Sequence, residues 1–531
     1  MGGRIRWVIA LVVATLWVLA AAALVAADGA SVTLVPDGPL VGEMVPGPDG
    51  ALWHVEDTPG TSEAPPGARV VRVNADGTSG TTLGTWPIQG IEPHLLADGS
   101  MGLLMMTFDE RIDGWVADGR VLLHLTPGSG AVASKMTLPP EADEATAFAF
   151  APDGAVWFAD SCGDRLGRVA PNGYLSYVRL PRIGCREEGG TAERGAMLAF
   201  DPKGALWFAN LCVGRIDRIS LVGRVREWRA LRVGCGGWDA VRADAAVDPR
   251  GGIFYAASGG KGYGSGRIRD GRLERFASYG TGVFTPDGAL WRVLSGGIER
   301  RAADGSTRIR GTGRVRAVSN LVPTRDGSVA VVFATYWRSD GNYDSHNTSP
   351  GPDAYLDGHV VVLHPDRSET SWQLPDGGAD ASSQLSAAYL ALGPDGAFYV
   401  RERRVANPSF DGSARLLRAL PADIAPPRSP TARVRAVLGR VRRAAWLQLS
   451  CGADLARFCV GTVRLTRKGV SPAPARFALA GRSRGAVPIT LSGRALRLLR
   501  HGGKLRTVAE VRTDDGTVTR SRVTIGSDAP R

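Results

Sequence analysis

Histidine is scarce in this chain. There are seven in 531 residues, and none between Leu125 and Ser345. That gap leaves the central part of the chain without a histidine base or a histidine metal ligand. The six cysteines include no CxxC pair, and none has a histidine nearby, which excludes the usual zinc spacings. No convincing amphipathic helix separates the strand-like runs, which argues against an α/β chain. Beyond Trp7–Ala27 there is no second apolar run of that length, so no further spanning helix is expected. Acid is nearly missing from the last part of the chain. From Arg428 to Arg531 there are 22 Lys and Arg against 5 Asp and Glu, a surplus of 17. The remainder then carries −5 of the total +12, so the basicity belongs to the C-terminal part alone.

At the N-terminus, Arg4 and Arg6 precede the uncharged run Trp7–Ala27. Residues 1–27 read as an export signal, with Val25-Ala26-Ala27 as the cleavage site. A run of 21 residues is also long enough to be kept as an anchor. Either way the rest of the chain is expected outside the cytoplasm, secreted or held on the outer face of the membrane. The cysteines fit that compartment. They fall as Cys162/Cys185, Cys212/Cys235 and Cys451/Cys459, the first two pairs sharing an internal spacing of 23. Disulfides are expected. Pairing within each repeat and a Cys185–Cys212 bridge between repeats both remain open.

What the chain has is a repeat. Ala199 to Ser220 reads AFDPKGALWFANLCVGRIDRIS, and Ala149 to Ala170 reads AFAPDGAVWFADSCGDRLGRVA. Self-similarity at this period marks an array of supersecondary units. The Pro-Asp-Gly turn mark, or a variant of it, stands at Gly50, Gly99, Gly154, Gly204, Gly251, Gly288, Gly327 and Gly396. Proline presets the second turn position and glycine supplies the left-handed one. Strand-like residues flank each mark, for example Val156-Trp157-Phe158 and Ile253-Phe254-Tyr255. Units of this size hold four short antiparallel strands, which is a propeller blade. The chain is therefore expected to be all-β, with a seven- or eight-bladed β-propeller over 31–420. The segment from Ser31 to Met44 is expected to supply a strand that closes the ring. A Pro-rich linker covers 421–432, and alternating runs over 433–531 predict a small basic β-sandwich. Ala495 to Leu499 reads as a short helical turn, and Cys451/Cys459 as the staple of one hairpin or loop.

The repeat PDG-A-[LV]-W-F followed by G-R-[IL]-x-R-[IV] resembles the streptogramin B lyase (virginiamycin B lyase) propellers. More broadly it is similar to the NHL and SMP-30/gluconolactonase-like propellers. The match is best from Phe148 to Phe276 and extends more weakly from Pro46 to Arg404. The C-terminal sandwich lies outside it. The resemblance implies a lyase that opens a cyclic depsipeptide ester by elimination, using a histidine base and a carboxylate-bound Mg²⁺. Of the Pro-His pairs that the family carries before its turn marks, only Pro93-His94 is found here.

Ligands of propellers usually sit at the channel mouth where the loops after the second strands converge. The repeat position aimed there is Glu56, Met105, Asp160, Asn210, Ala257, Leu294, Phe333 and Glu402 in order. Glu56, Glu402, Asp160 and Asn210 are oxygen ligands of the kind Mg²⁺ or Ca²⁺ takes. They are equally ordinary loop carboxylates and an amide at strand ends. His54, on the strand of Glu56, and His94 are the candidate bases. The alternation of one strand places His54 on the face opposite its neighbour, outward. The tryptophans at 53, 157, 207 and 291 share one repeat position and read as packing residues. Two functions follow. One is an exported binding or scaffold propeller that recognises a small molecule, a protein or an envelope glycan at its mouth. The other is a lyase-like or lactonase-like enzyme using a divalent cation. The first is favoured by the scarcity of histidine and by Ala257, Leu294 and Phe333 at the mouth. The arginine surplus suits an anionic glycan. Nucleic acid is not expected, membrane contact is expected only through an uncleaved N-terminus, and the chain is expected to be a monomer.

Overall fold

A computed structural model describes the chain between residues 31 and 526, outside the segments 39–43, 48–50, 59–66, 75–80, 87–88, 96–100, 112–113, 126–131, 141–144, 161–164, 181–195, 212–213, 222, 231–241, 260–261, 295–296, 303, 306, 312–314, 318, 325, 338–353, 374–382, 394–395, 407–413, 420–430, 442, 454–457, 468–469, 471–472 and 482. The N-terminal run Trp7–Ala27, linker residues 421–430, and Cys162, Cys185, Cys212 and Cys235 lie outside these residues. Among the described residues no helix is long and apolar enough to cross a membrane.

Among the described residues there are ten antiparallel sheets, eight of them before the linker. Each of the eight turn marks joins the first strand of one sheet to its second. In the third sheet Ala145–Phe150, Val156–Asp160, Arg165–Val169 and Leu175–Arg179 pair in sequence order. The fourth repeats this with Ala196–Phe200, Leu206–Asn210, Arg215–Ile219 and Val225–Arg229. The eighth sheet has three consecutive strands, Ser383–Leu392, Phe398–Ala406 and Ala414–Ala419, and takes its fourth from Ser31–Gly38. The N-terminal strand thus closes the ring, as its position before the first repeat implies. Successive sheets pack face to face through separate apolar clusters. Leu166 and Ala159 meet Phe208 and Leu206, and Tyr255 and Ile268 meet Trp207 and Ile216. Met44 and Leu52 of the first sheet pack with Ala397 and Tyr399 of the eighth. This is a β-propeller, with sheets packed in the radial manner that leaves only short edges.

The structure explains the arginine of the G-R repeat. In the third sheet Arg168, on the third strand, pairs at 2.6 Å with Asp153 of the turn mark. The same carboxylate accepts the Ala155 backbone N–H at 3.1 Å. Where lysine or arginine replaces the Asp of the mark, the carboxylate comes from the residue before the proline. Asp201 then accepts from Lys203 N and Ala205 N, both at 2.9 Å, and pairs with Arg218 at 2.8 Å. Asp248–Arg269 does the same in the fifth sheet, and in the sixth the mark's own Asp287 pairs with Arg300, as Asp153 does with Arg168. A carboxylate that holds a turn and a neighbouring strand at once is stronger than a neutral turn bond.

Residues from Ala432 onward form a sandwich. A three-stranded sheet holds Ala432–Val441, Ala444–Cys451 and Arg484–Thr490. A four-stranded one is ordered Ala475–Ala480, Phe458–Leu465, Lys504–Thr513, Val518–Gly526. Leu447, Leu449, Val463, Phe477, Ile489, Val511 and Ile525 fill the core between them. The short helical turn is a full helix, Gly493–Gly502, begun by Ser492, whose side chain accepts Ala495 N, and ended by Gly503 in the left-handed region. Cys451 and Cys459 are disulfide-bonded with Cα atoms 5.6 Å apart. Cys451 ends a strand of one sheet and Cys459 lies in a strand of the other. The bond therefore closes the connection between consecutive strands, the loop of the expectation rather than a hairpin, and so staples the two sheets together.

Candidate ligand-binding cleft between the propeller and the sandwich

The residues expected at the channel mouth occupy second strands. Asp160 and Asn210 are the last residues of theirs, and Glu56 and Glu402 lie in strands of the neighbouring first and eighth sheets. In register Glu56 faces Arg69, Asn210 faces Arg215 and Glu402 faces Arg415. The side chains of Glu56, Asp160, Glu402 and His94 lie outside the description, so their convergence on Mg²⁺ or Ca²⁺ stays an expectation. Among the described residues no group of three or more His, Cys, Asp or Glu could hold a metal. Asn210 is 1% exposed and Ala257 and Phe333 are buried, so these three do not present their side chains to solvent.

His54 departs from its expected outward placement. It is 2% exposed and its imidazole is pushed down to about 4, first by burial and then by the positive charges of Arg401 and Arg69. The cause is the repeat. His54 stands four residues after Gly50, where the third, fourth and fifth sheets carry Phe158, Phe208 and Tyr255. This position packs between sheets. It reaches across to the third strand, where Phe158 opposes Gly167, Tyr255 opposes Gly266 and His54 opposes Val71. A side chain at Gly167 would collide with the Phe158 ring.

The same comparison exposes charges that sequence reading passed over. In the fourth sheet Asp217 replaces the glycine opposite Phe208. It is fully buried and pairs with Arg215 at 2.7 Å, and burial pushes its carboxyl above the ordinary range. In the sixth sheet the aromatic–glycine pair has become Arg292–Glu299, at 1% and 3% exposure, bonded from Arg292 Nε at 2.6 Å. Arg292 and Arg301 stack on the Phe276 ring at 4.1 and 4.3 Å. Departures from the repeat at this one position were the available signal. These groups are closed off from solvent and pair with each other, so they serve the packing between sheets.

The open site lies at the other end of the sheets. In a four-stranded meander the turn marks and the turns between third and fourth strands share one end, opposite the mouth positions. There the sandwich docks. Gln448 donates from Nε2 to the Pro202 carbonyl at 3.0 Å. Gly204, at φ +77°, lies so close to the sandwich that a Cβ on it would stand 2.7 Å from Ala486 Cβ. Beside this contact is a cleft of about 940 Å³. The propeller contributes Phe150, Trp157 and Phe200 as ring surfaces, the Asp153–Arg168 pair, and His124 and Ser176. The sandwich contributes Arg443, Trp446, Arg476, Pro488 and Thr490. Trp157 and Trp446 are half-buried and Arg443 is exposed. Rings, hydroxyls and guanidinium groups converging on a concave site of this size are what a ligand pocket offers.

No family model matches the chain, and no curated protein matches it. Among solved structures it is similar to a streptogramin B lyase, with a TM-score of 0.36 and 14% identity over 74% of this chain and 98% of that one. It is also similar to virginiamycin B lyase from Staphylococcus aureus, with a TM-score of 0.34 and 16% identity over 62% and 94%. A putative gluconolactonase matches with a TM-score of 0.24 and 16% identity over 51% and 87%. The sheet order described above carries the fold on its own.

Proposed function

We propose that the chain is an extracytoplasmic binding protein that holds its ligand between the propeller and the C-terminal sandwich. The cleft carries this reading: it is walled by both domains, and its aromatic and cationic side chains are accessible. His54 and Asn210, by contrast, are buried. The Cys451–Cys459 bond supports an oxidising compartment. The test is a thermal-shift panel of neutral and acidic oligosaccharides and short peptides on the whole chain and on Ala444→Trp, which fills the cleft wall. A rise in Tm that Ala444→Trp abolishes is expected. Rises that survive the substitution, or no rise with any member of the panel, would sink this reading.

A further inference from the structure

We infer that the ligand of this cleft is an acidic oligosaccharide, a short run of pyranose rings bearing carboxylates; the inference rests on the cleft reading above. Three guanidinium groups line the cleft, from three separate segments of the chain. Arg168 is matched by Asp153 at 2.6 Å, and Arg476 by Asp514 at 3.0 Å. Arg443, exposed next to the strand that begins at Ala444, has no acidic partner among the described residues. The sandwich wall of the cleft therefore carries a cation without its counter-charge, on a domain (433–531) whose surplus is already 16. A planar guanidinium prefers a carboxylate, which it can take with two parallel bonds.

The opposite requirement comes from the rings. Trp157, Trp446, Phe150 and Phe200 give flat apolar surfaces that a small inorganic anion would leave uncovered. A wholly apolar ligand would cover them but strip water from Arg443 without replacing it, which is costly. A sugar ring satisfies both conditions. Its C–H face lies on an aromatic face, and its rim of hydroxyls meets Ser176, Ser220 and Thr490, which also line the cleft. The volume is at the upper end of ordinary ligand pockets, so several linked rings fit better than one.

The experiment is calorimetry on the whole chain at physiological salt with four probes: trigalacturonate, maltotriose, tripolyphosphate and tetraglutamate. Trigalacturonate should bind with one site. Arg443→Gln should weaken it roughly tenfold, the loss of one charge-assisted bond, with Arg443→Lys between the two. Arg443 is exposed in a turn, so neither variant should shift Tm by itself. Equal binding of maltotriose, abolished by Ala444→Trp, would overturn the acidic class while leaving the cleft as a binding site. Equal binding of tripolyphosphate or tetraglutamate would overturn the saccharide. Failure of all four probes, or binding indifferent to Ala444→Trp, would overturn this inference together with the cleft reading.

Discussion

Gln448 Nε2 lies 3.0 Å from the carbonyl oxygen of Pro202, a residue 246 positions away in the chain. One end of that bond is a turn mark of the fourth sheet. The other is a nearly buried strand residue of the sandwich. The bond thus ties the propeller repeat to the appended domain at the edge of the cleft. Gln448→Ala removes the donor and leaves a shielded carbonyl unsatisfied. A loss of about 1–2 kcal/mol is expected in urea denaturation. If the two domains unfold together in the wild type, this variant should broaden or split the transition, which two independent probes would reveal.

Gly204 tests the same contact from the other side. Its φ of +77° is costly for any residue with a Cβ, and here the Cβ would also press on Ala486. Gly204→Ala should therefore cost more than the turn strain of roughly 1–2 kcal/mol alone. Gly154 makes the control. It has φ +79° in the same turn, and the nearest atom to a Cβ is Pro171 Cγ at 3.2 Å rather than the sandwich. Comparable losses of stability for Gly154→Ala and Gly204→Ala would show that the domain contact adds nothing.

His54 makes a pH prediction whose sign is fixed by burial. Its imidazole titrates near 4 in the folded chain and near the ordinary 6.5 when unfolded. Between those values the unfolded chain binds the proton and the folded chain resists it. The contribution is fully present above about pH 6.5 and is lost as pH falls toward 4, with a ceiling of about 3 kcal/mol. His54→Phe, the residue found at the matching position of the third and fourth sheets, should flatten that part of the stability curve. Denaturation midpoints at pH 7 and pH 5 check it. An unchanged slope in the variant would place the titration elsewhere.

Much of the fold can be read from the sequence because turn chemistry is local. Each of the eight marks sits between the first two strands of its sheet, although two carry Ala or Arg in place of proline at Gly99 and Gly327. The sandwich was legible from alternation for the same reason. The cleft was not. Asp153 and Arg443 line it from positions nearly 300 residues apart, and no periodicity links them. The role of Arg168 was hidden too, since its pair with Asp153 inside one sheet joins a turn to the third strand, two repeat features that lie 15 residues apart. His54 was misjudged because alternation alone ignores what the repeat does at that position. Aligning the repeats puts it in a column with Leu103, Phe158, Phe208, Tyr255, Val331 and Val400, and a mainly apolar column predicts burial.

The same column supplies the last prediction. Arg292 and Glu299 occupy the places of Phe158 and Gly167, and both charges are buried. Removing one leaves the other uncompensated in a low-dielectric setting, so Arg292→Phe or Glu299→Gly alone should cost roughly 3–5 kcal/mol. Arg292 has further partners in Ser265 Oγ at 3.1 Å and the Ser278 carbonyl at 3.2 Å, which deepens its own loss. Arg301 keeps Glu274 at 2.6 Å when Glu299 is gone. Made together, the two substitutions rebuild the ring-over-glycine packing of the third sheet and leave no orphan charge. The double variant should then be far more stable than the sum of the singles implies, with a coupling of about 2–3 kcal/mol in a urea double-mutant cycle. Additive losses would mean that the position accepts only the ion pair, and that the sixth sheet does not share the packing of the third.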